Sequence, residues 1–296
     1  MSDAAPRPPY DSRPSAVTGP LDRALAVLRH MAGAHRATAT EIAEVAGTSR
    51  STAYRLAERL TAWGFLSLSD EPGRWETGPE ALRLGLSVLS RSQVAQAAPE
   101  LVRHLMELTR ETCGVAIPLH DTMVFVHREL GPTPSPATTQ LGTERPIHCT
   151  AVGKAWLSGL PEPQLTAVLG RLWLRTHTPN TITSVSALMR ELDLTRRRGW
   201  AVDDGELNEA TGSCAAVAFG PDGQPAAAVS VWGPRARVVQ RMGRMGPVTT
   251  STADALTARL RRTAQPEQRP LHDEQRPLDE KRPGPGPGPG PGPGGP

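Results

Sequence analysis

Two short helices joined by a glycine turn are predicted near the amino terminus, and this pattern constrains the fold more than any other feature. Residues 38–41 (Thr-Ala-Thr-Glu) form a capping-box sequence, in which a hydroxyl caps the helix start and a carboxylate binds back to the backbone. The helix that follows is expected to end at Gly47, because glycine readily adopts the left-handed conformation after a helix. Thr48 is predicted to cap the next helix, which extends from Ser49 to about Leu60.

The flanking segments predict a winged helix-turn-helix domain over residues 21–78. Leucines recur at helical spacing in residues 21–28, so a first helix is expected there. After the third helix, the turn-forming residues 70–73 (Asp-Glu-Pro-Gly) separate the strand-like segments 66–68 and 74–76, which predicts a β-hairpin. A helix, a second helix, a short turn, a third helix and a hairpin follow one another as in winged helix-turn-helix proteins.

The rest of the chain predicts a linker and a second domain of the α+β class. Pro79 opens a leucine-rich helical pattern, and Pro99 is expected to open the next helix. Strand-like and helical segments then follow without strict alternation, which is typical of an α+β fold, and the last helix is expected over residues 248–260. The predicted boundaries are a flexible arm at 1–20, a winged helix-turn-helix domain at 21–78, a linker helix at 79–98, a second domain at 99–262 and a disordered Pro-Gly tail at 263–296.

Composition excludes several classes of protein. The 296 residues contain no apolar run near the roughly 18 residues of a membrane helix, and the first residues lack the apolar core of a secretory signal. The cysteines Cys113, Cys149 and Cys214 are too few and too scattered for a disulfide framework. A cytoplasmic protein with no membrane partner is therefore expected.

The third predicted helix has the residue types of a DNA-recognition helix. With Ala53, Leu56 and Leu60 facing inward, its arginines project outward, where arginine can bind guanine edges in the major groove. Hydroxyls at the helix start suit phosphate contacts. A solvated helix face has a similar composition, so that interpretation stays open at this point. The candidate DNA-binding residues are Thr48, Ser49, Arg50, Ser51, Thr52, Tyr54, Arg55 and Arg59, with Arg74 of the hairpin.

The charge of this predicted domain favours DNA only weakly. The chain has a formal net charge of +3, but residues 21–80 contain seven arginines and eight acidic residues. Affinity for DNA must therefore come from the placement of individual arginines and from two copies of the domain.

Segment 145–155 suggests phosphate binding, thiol catalysis or zinc binding, but it lacks residues that each of these requires. It contains a Gly-Lys pair, but His148 and Ala155 stand where a phosphate-binding loop has glycine and serine or threonine. His148 and Cys149 are adjacent, but no orienting residue is marked and neighbours in sequence rarely face each other. Ligand pairs at zinc-site spacing are missing. No catalytic residue, cofactor or metal site is predicted, and the segment is interpreted as a tight strand-to-helix entry whose helix start could bind an anion.

With these motifs taken together, the chain resembles the IclR family of bacterial transcription regulators over nearly all of residues 21–262. The matching segments are residues 22–25, 41–43, 51–52, 54–56, 63–66 and 74–78 with Gly47 in the first domain, and residues 145–148, 153–155, 198–201, 203–204 and 228–231 in the second. The resemblance implies a winged helix-turn-helix domain, a linker helix that dimerises, and a GAF-like α/β domain that binds small organic acids or aromatic effectors.

The resemblance also implies an effector pocket. The residues that match it by position, or that lie beside those positions, are Thr150, Ala151, Val152, Asp203, Thr211, Ser213, Ser230 and Trp232. The chain departs from the family at Ser213, where many relatives have cysteine, and at Trp232, where a small residue is common. Ser213 and Ser230 are expected to donate to a ligand carboxylate, while Trp232 offers an apolar face to a planar ring.

The predicted function is a sequence-specific DNA-binding transcription regulator, expected as a repressor, whose operator binding is modulated by a small organic-acid or aromatic effector. Its expected partners are a double-stranded DNA operator, the effector, and a second copy in a homodimer or a dimer of dimers. An alternative is a small-molecule-sensing module that acts through protein contacts, its DNA-binding domain degenerate. An enzyme ranks third, because no catalytic constellation is found.

Overall fold

A computed structural model describes residues 19–34, 36–133 and 141–264 of the chain. The flexible arm expected at 1–20 lies outside these ranges except for Gly19 and Pro20. The tail expected at 263–296 lies outside them beyond residue 264. No helix among the described residues is both long and apolar enough to cross a membrane.

The amino-terminal part consists of three helices and a small antiparallel sheet. Its elements are α1 (Pro20–Ala34), β1 (Arg36–Thr38), α2 (Ala39–Ala46), α3 (Arg50–Ala62), β2 (Leu66–Leu68) and β3 (Arg74–Thr77). The strands pair in the order β1-β3-β2, so the unpredicted strand β1 extends the predicted hairpin. The helices and the sheet share one core, which buries Val27, Ile42, Ala53, Leu66 and Trp75. This is the winged helix-turn-helix order that the sequence predicts.

The turn between α2 and α3 has the predicted cap at one end and a different cap at the other. The Thr38 N–H donates to the Glu41 carboxylate at 2.7 Å, and the Glu41 N–H donates to the Thr38 hydroxyl at 3.3 Å, which completes the capping box. Gly47 is left-handed, with φ 58°. The prediction that Thr48 caps α3 is wrong, because its N–H closes the end of α2 by donating to Ala43 O at 2.9 Å. The side chain that caps α3 is Ser49.

Two helices replace the single linker helix predicted over residues 79–98. They are α4 (Pro79–Leu89) and α5 (Gln93–Thr109). The helix expected to begin at Pro99 begins six residues earlier, because the Ser92 hydroxyl accepts a first-turn backbone N–H at 3.3 Å and fixes the start. Pro99 lies inside α5, where it withholds one backbone donor from the helix.

The carboxyl-terminal part is a six-stranded antiparallel sheet with helices on both faces. After α5 its elements are β4 (Thr112–Leu119), β5 (Thr122–Glu129), β6 (Glu144–Pro146), α6 (Ala151–Gly159), α7 (Glu162–Leu169), α8 (Val185–Arg198), β7 (Ala201–Asp204), β8 (Thr211–Phe219), β9 (Pro225–Pro234) and α9 (Arg235–Ala264). The strand order is β6-β5-β4-β9-β8-β7. The α+β class is as predicted, and β6 is the strand of the strand-to-helix entry expected in segment 145–155, whereas α9 begins at Arg235 rather than near residue 248.

Alternation along the central strands divides the side chains between two cores. Cys214 and Val229 face a core shared with α5 and α9. Ala215 and Ala228 face the opposite core, shared with α6, α7 and α8. The residues of β8 and β9 that alternate in phase with this second set therefore point toward the start of α6.

Candidate functional site

The α3 surface presents the predicted DNA-binding residues to solvent. The helix buries Ala53, Ala57 and Leu60 against the core. Ser49, Arg50, Ser51, Tyr54, Arg55 and Arg59 are exposed, and Thr48, Thr52 and Arg74 are half-buried. Among the described residues Arg55 and Arg59 enter no ion pair, so both guanidinium groups are available to an external acceptor.

Contacts with the hairpin hold one edge of this surface in place. The Tyr54 ring meets the buried Trp75 ring edge-on, with centroids 5.4 Å apart, so α3 packs directly on β3. The Arg50 guanidinium lies 5.8 Å from the centre of the Tyr54 ring. Arg74 pairs with Glu71 across the hairpin turn at 3.1 Å, which places its charge at the tip of the wing. Tyr54 and Arg74 are therefore partly committed to local structure.

A second site is a cavity of about 310 Å³ between the start of α6 and the sheet. The residues that line it are Phe125, Arg145, Thr150, Ala151, Val152, Asp203, Leu207, Asn208, Thr211, Ser213, Ser230 and Trp232. All eight predicted effector residues are brought together here. The sequence analysis did not predict four of the lining residues, which are Phe125, Arg145, Leu207 and Asn208. Arg145 could have been predicted, because it lies in the segment 145–148 that matches the family.

Strand register explains how distant residues converge on the cavity. Asp203 of β7 pairs with Ser213 of β8, and Ser213 pairs with Trp232 of β9. Ser230 lies two residues from Trp232 and so shares its face of the sheet. These four side chains form a polar and aromatic row opposite the α6 start.

Two aromatic rings pack over a glycine at the side of the cavity. Phe125 and Trp232 have ring centroids 4.9 Å apart and planes tilted by 52°. A Cβ at Gly114, on the strand between them, would lie 3.0 Å from each ring. The glycine therefore makes room for the aromatic pair, which gives the cavity an apolar face.

The start of α6 supplies backbone donors. The Thr150 hydroxyl is already used, because it donates to Pro146 O at 2.7 Å and accepts from the Gly153 N–H at 3.2 Å. The N–H groups of Ala151 and Val152 belong to the first turn, which has no acceptor within the helix. They and the helix dipole offer an anion a positive environment.

Two opposite charges meet at the cavity. Burial lowers the pKa of Arg145, and the Asp203 carboxyl opposes that shift. Burial raises the pKa of Asp203 to about 7, although its carboxylate accepts the Glu206 N–H at 2.7 Å. Near neutral pH the Asp203 carboxyl is thus divided between its neutral and charged forms, while Arg145 remains a cation.

The role expected for Ser230 needs correction. Its hydroxyl donates to Cys214 O at 3.0 Å on the neighbouring strand, so its proton is not directed at a ligand carboxylate. The oxygen lone pairs remain available, which makes Ser230 an acceptor for a ligand hydroxyl.

Lys154, the lysine of the incomplete phosphate-loop sequence, lies in an internal ion pair. Its side chain is fully buried and pairs with the Glu206 carboxylate. Burial raises the pKa of Glu206, while Lys154 opposes that shift. The pair fastens α6 to the turn after β7, next to Asp203.

Comparison with known proteins matches both parts of the chain to one family. Residues 20–69 match the IclR helix-turn-helix domain, and residues 86–258 match the bacterial transcriptional regulator IclR C-terminal domain. The HTH-type transcriptional regulator BhcR of Paracoccus denitrificans (strain Pd 1222) is 33% identical over 74% of this chain and 78% of that protein. The transcriptional repressor IclR of Escherichia coli (strain K12) is 30% identical over 83% of this chain and 93% of that protein.

A solved structure shares the fold. The crystal structure of an IclR homolog from Microbacterium hydrocarbonoxydans, complexed with 4-hydroxybenzoate, covers 82% of this chain and 100% of its own, with a TM-score of 0.69. Its sequence is 22% identical, so the likeness is one of fold.

Proposed function

Because the chain belongs to the IclR family of bacterial transcriptional regulators, we propose that it is a cytoplasmic repressor whose operator binding is released by an aromatic hydroxycarboxylate. The observation that carries this proposal is the lining of the cavity. It combines a helix start and Arg145 with the Phe125–Trp232 pair, and so offers both an anion site and a ring site. We assign no catalytic residues, since the family members above are regulators.

The carboxylate of the effector is assigned to Arg145 and the α6 start. An arginine can bind both oxygens of a carboxylate. The first-turn backbone N–H groups of Ala151 and Val152 can donate further hydrogen bonds to the same anion. A cavity of about 310 Å³ matches the lower end of the range for small-ligand sites, roughly 300 Å³ and above, which suits a single ring.

A ring hydroxyl is assigned to the polar row of the sheet. Asp203, Ser230 and Asn208 can accept or donate one hydrogen bond each. An aromatic acid without a hydroxyl forgoes this hydrogen bond, which is worth about 0.5–1.5 kcal/mol. The 4-hydroxybenzoate bound to the Microbacterium protein has this combination of groups.

Operator recognition is assigned to α3 and the wing. We place α3 in the major groove, with Arg50, Arg55 and Arg59 as the charged contacts and the hydroxyls of Ser49 and Ser51 near phosphate. The Tyr54–Trp75 contact fixes the angle between α3 and the wing. With α3 in the major groove, the wing residue Arg74 then reaches the adjacent phosphate backbone of the DNA.

A homodimer is assigned to the surface of α4. None of its residues is buried, and Leu82, Leu84, Leu86 and Val88 are all largely exposed. At helical spacing they form two i,i+4 pairs, Leu82 with Leu86 and Leu84 with Val88, and this exposed apolar surface on one short helix favours a second copy of the chain as its cover. Two α3 helices then approach one duplex together, which compensates for the weak positive charge of a single domain.

Calorimetric titration of the full chain tests the effector assignment. We expect 4-hydroxybenzoate to bind more tightly than benzoate, and Arg145→Ala to weaken both by about tenfold to a hundredfold through loss of a charged hydrogen bond. Arg197→Ala removes an exposed arginine elsewhere in the same domain and serves as the matched control. Equal binding by wild type and Arg145→Ala would contradict the assignment.

A further inference from the structure

Three side chains that the proposed function does not use lie close together beside the start of α6. They are His148 and Cys149, in the turn between β6 and α6, and His177, in the long segment before α8. A nitrogen of each histidine and the Cys149 sulfur all lie within 4.8 Å of one another. His148 and Cys149 are buried, whereas His177 is exposed.

We propose that His148, Cys149 and His177 form a binding site for a borderline-soft divalent metal ion, with Zn²⁺ as the expected occupant. Two imidazoles and one thiolate are a ligand set that zinc accepts, and three protein ligands leave a fourth position for water. This inference does not depend on the identity of the effector.

The distances fit tetrahedral coordination after small side-chain movements. Ligand atoms around a tetrahedral zinc are roughly 3.3–3.6 Å apart, as follows from metal–ligand bonds of about 2.0–2.3 Å. The cluster must therefore contract by about 1 Å at its widest, and the exposed His177 ring is free to rotate toward the two buried ligands. An ion entering from the His177 side would have solvent at its fourth position.

One hydrogen bond outside the cluster orients the His148 ring, and another holds the backbone at His177. His148 Nε2 lies 3.0 Å from Arg175 O, and since a carbonyl only accepts, Nε2 carries the proton and Nδ1 keeps the lone pair. Metal-binding histidines are commonly oriented in this way by a backbone carbonyl. The His177 backbone N–H donates to the Thr181 hydroxyl at 3.0 Å, and that hydroxyl donates to Glu206 O at 2.6 Å, which holds the backbone at His177 beside the turn after β7.

The buried Lys154 ammonium pairs with the Glu206 carboxylate, so it adds little net positive charge that would oppose a bound cation. When the sulfur–metal bond forms, the thiol proton leaves to solvent. The divalent ion thus takes the place of a singly charged proton on the sulfur.

The sequence gives no zinc-site spacing here because the ligands come from a turn and a remote segment. The expectation that neighbouring His148 and Cys149 face apart does not hold either. Residues 147–150 form a bend rather than a strand, so their side chains do not alternate.

Cobalt spectroscopy of the untagged, reduced, full-length chain tests the site directly. One equivalent of Co²⁺ should produce a thiolate-to-cobalt charge-transfer band and the intense visible bands of tetrahedral cobalt, and Zn²⁺ should displace it. Cys149→Ala should abolish the charge-transfer band. His177→Ala, which changes an exposed residue, should weaken binding by at least about tenfold, a loss that removal of even an outer-shell partner causes.

Matched controls are Cys113→Ala, another buried cysteine, and His104→Ala, another exposed histidine. Both should bind cobalt as wild type does. The proposal is overturned if wild type gives no charge-transfer band with one equivalent of Co²⁺. It is also overturned if His177→Ala binds as tightly as wild type, a result that stands even if Cys149→Ala does not fold.

Discussion

At the scale of single residues, Asp203 should make binding of the proposed effector depend on pH. Its pKa is raised to about 7, so the carboxyl is neutral below that pH and negatively charged above it. A charged Asp203 repels a bound carboxylate in the same cavity, and a neutral one can donate a hydrogen bond. Anion affinity should therefore fall as the pH rises through 7.

For the wild-type chain we expect the Kd for benzoate to rise about tenfold between pH 6 and pH 8, as linkage to one proton requires. Asp203→Asn keeps the acceptor for the Glu206 N–H but cannot ionise, so its Kd should be nearly independent of pH. Asp204→Asn alters the neighbouring carboxyl and should behave as wild type. Calorimetric titrations at the two pH values decide, and a steep pH dependence in Asp203→Asn would refute this role.

Gly153 shows how tightly the start of α6 is packed. A Cβ at this position would lie 2.2 Å from the Ile147 Cα, which is backbone and cannot move aside. Gly153→Ala should therefore lower the free energy of unfolding by about 1–3 kcal/mol or more. Gly243→Ala is the control, because a Cβ there meets nothing within 4 Å, and it should raise stability by up to about 1 kcal/mol. Urea denaturation measures both variants. A free energy of unfolding that changed in the same direction in both would contradict the tight packing at Gly153.

At the scale of elements, α3 either reads DNA or forms an ordinary solvated face. Arg55→Ala removes an exposed side chain and leaves the buried face of the helix unchanged. It should weaken operator binding by about 1–3 kcal/mol and relax specificity if Arg55 contacts a base, or reduce the salt dependence by about one unit if it contacts phosphate. Arg197→Ala should have neither effect. Unchanged affinity and salt dependence in Arg55→Ala would favour the solvated face.

Local signals predicted most elements, and tertiary contacts decided the remainder. The capping box at Thr38 and the turn at Gly47 were recognisable because their chemistry is complete within a few residues. The α3 cap was misplaced by one residue, since Thr48 and Ser49 are equally good caps until the closing bond of α2 uses Thr48. Strand β1, which was not predicted, is only three residues long and exists through pairing with the distant strand β3.

The residues of the cavity also divide into those that the sequence predicted and those that only tertiary structure reveals. Its eight predicted residues came from family position, and strand register brings them together. Leu207 and Asn208 lie in a turn whose path no local pattern specifies. The approach of His177 to Cys149 depends on hydrogen bonds from Thr181 to the chain beyond β7, which a sequence pattern does not reveal.

At the scale of the whole molecule, α4 should hold two copies together. Leu86→Glu places a charge within its exposed apolar surface, and burying that charge in an interface is costly. Sedimentation should show a dimer for wild type and a shift toward monomer for Leu86→Glu. Leu194→Glu changes a similarly exposed leucine of α8 and should remain dimeric. A monomeric wild type at micromolar concentration, with and without DNA, would refute the assignment.

A ligand in the cavity can release the protein from DNA only if it binds the DNA-free arrangement of the protein more tightly than the DNA-bound arrangement. Ser230→Trp fills the cavity from the sheet side, and Ser186→Trp adds the same ring at an exposed position of α8. Both chains should bind a fluorescent duplex taken from upstream of the gene that encodes the protein.

The most direct measurement is the fluorescence anisotropy of that duplex during titration with 4-hydroxybenzoate. Release of the duplex from wild type and from Ser186→Trp, with retention by a folded Ser230→Trp, is the predicted result. Release from Ser230→Trp at the same ligand concentration as from wild type would contradict control of DNA binding through this cavity.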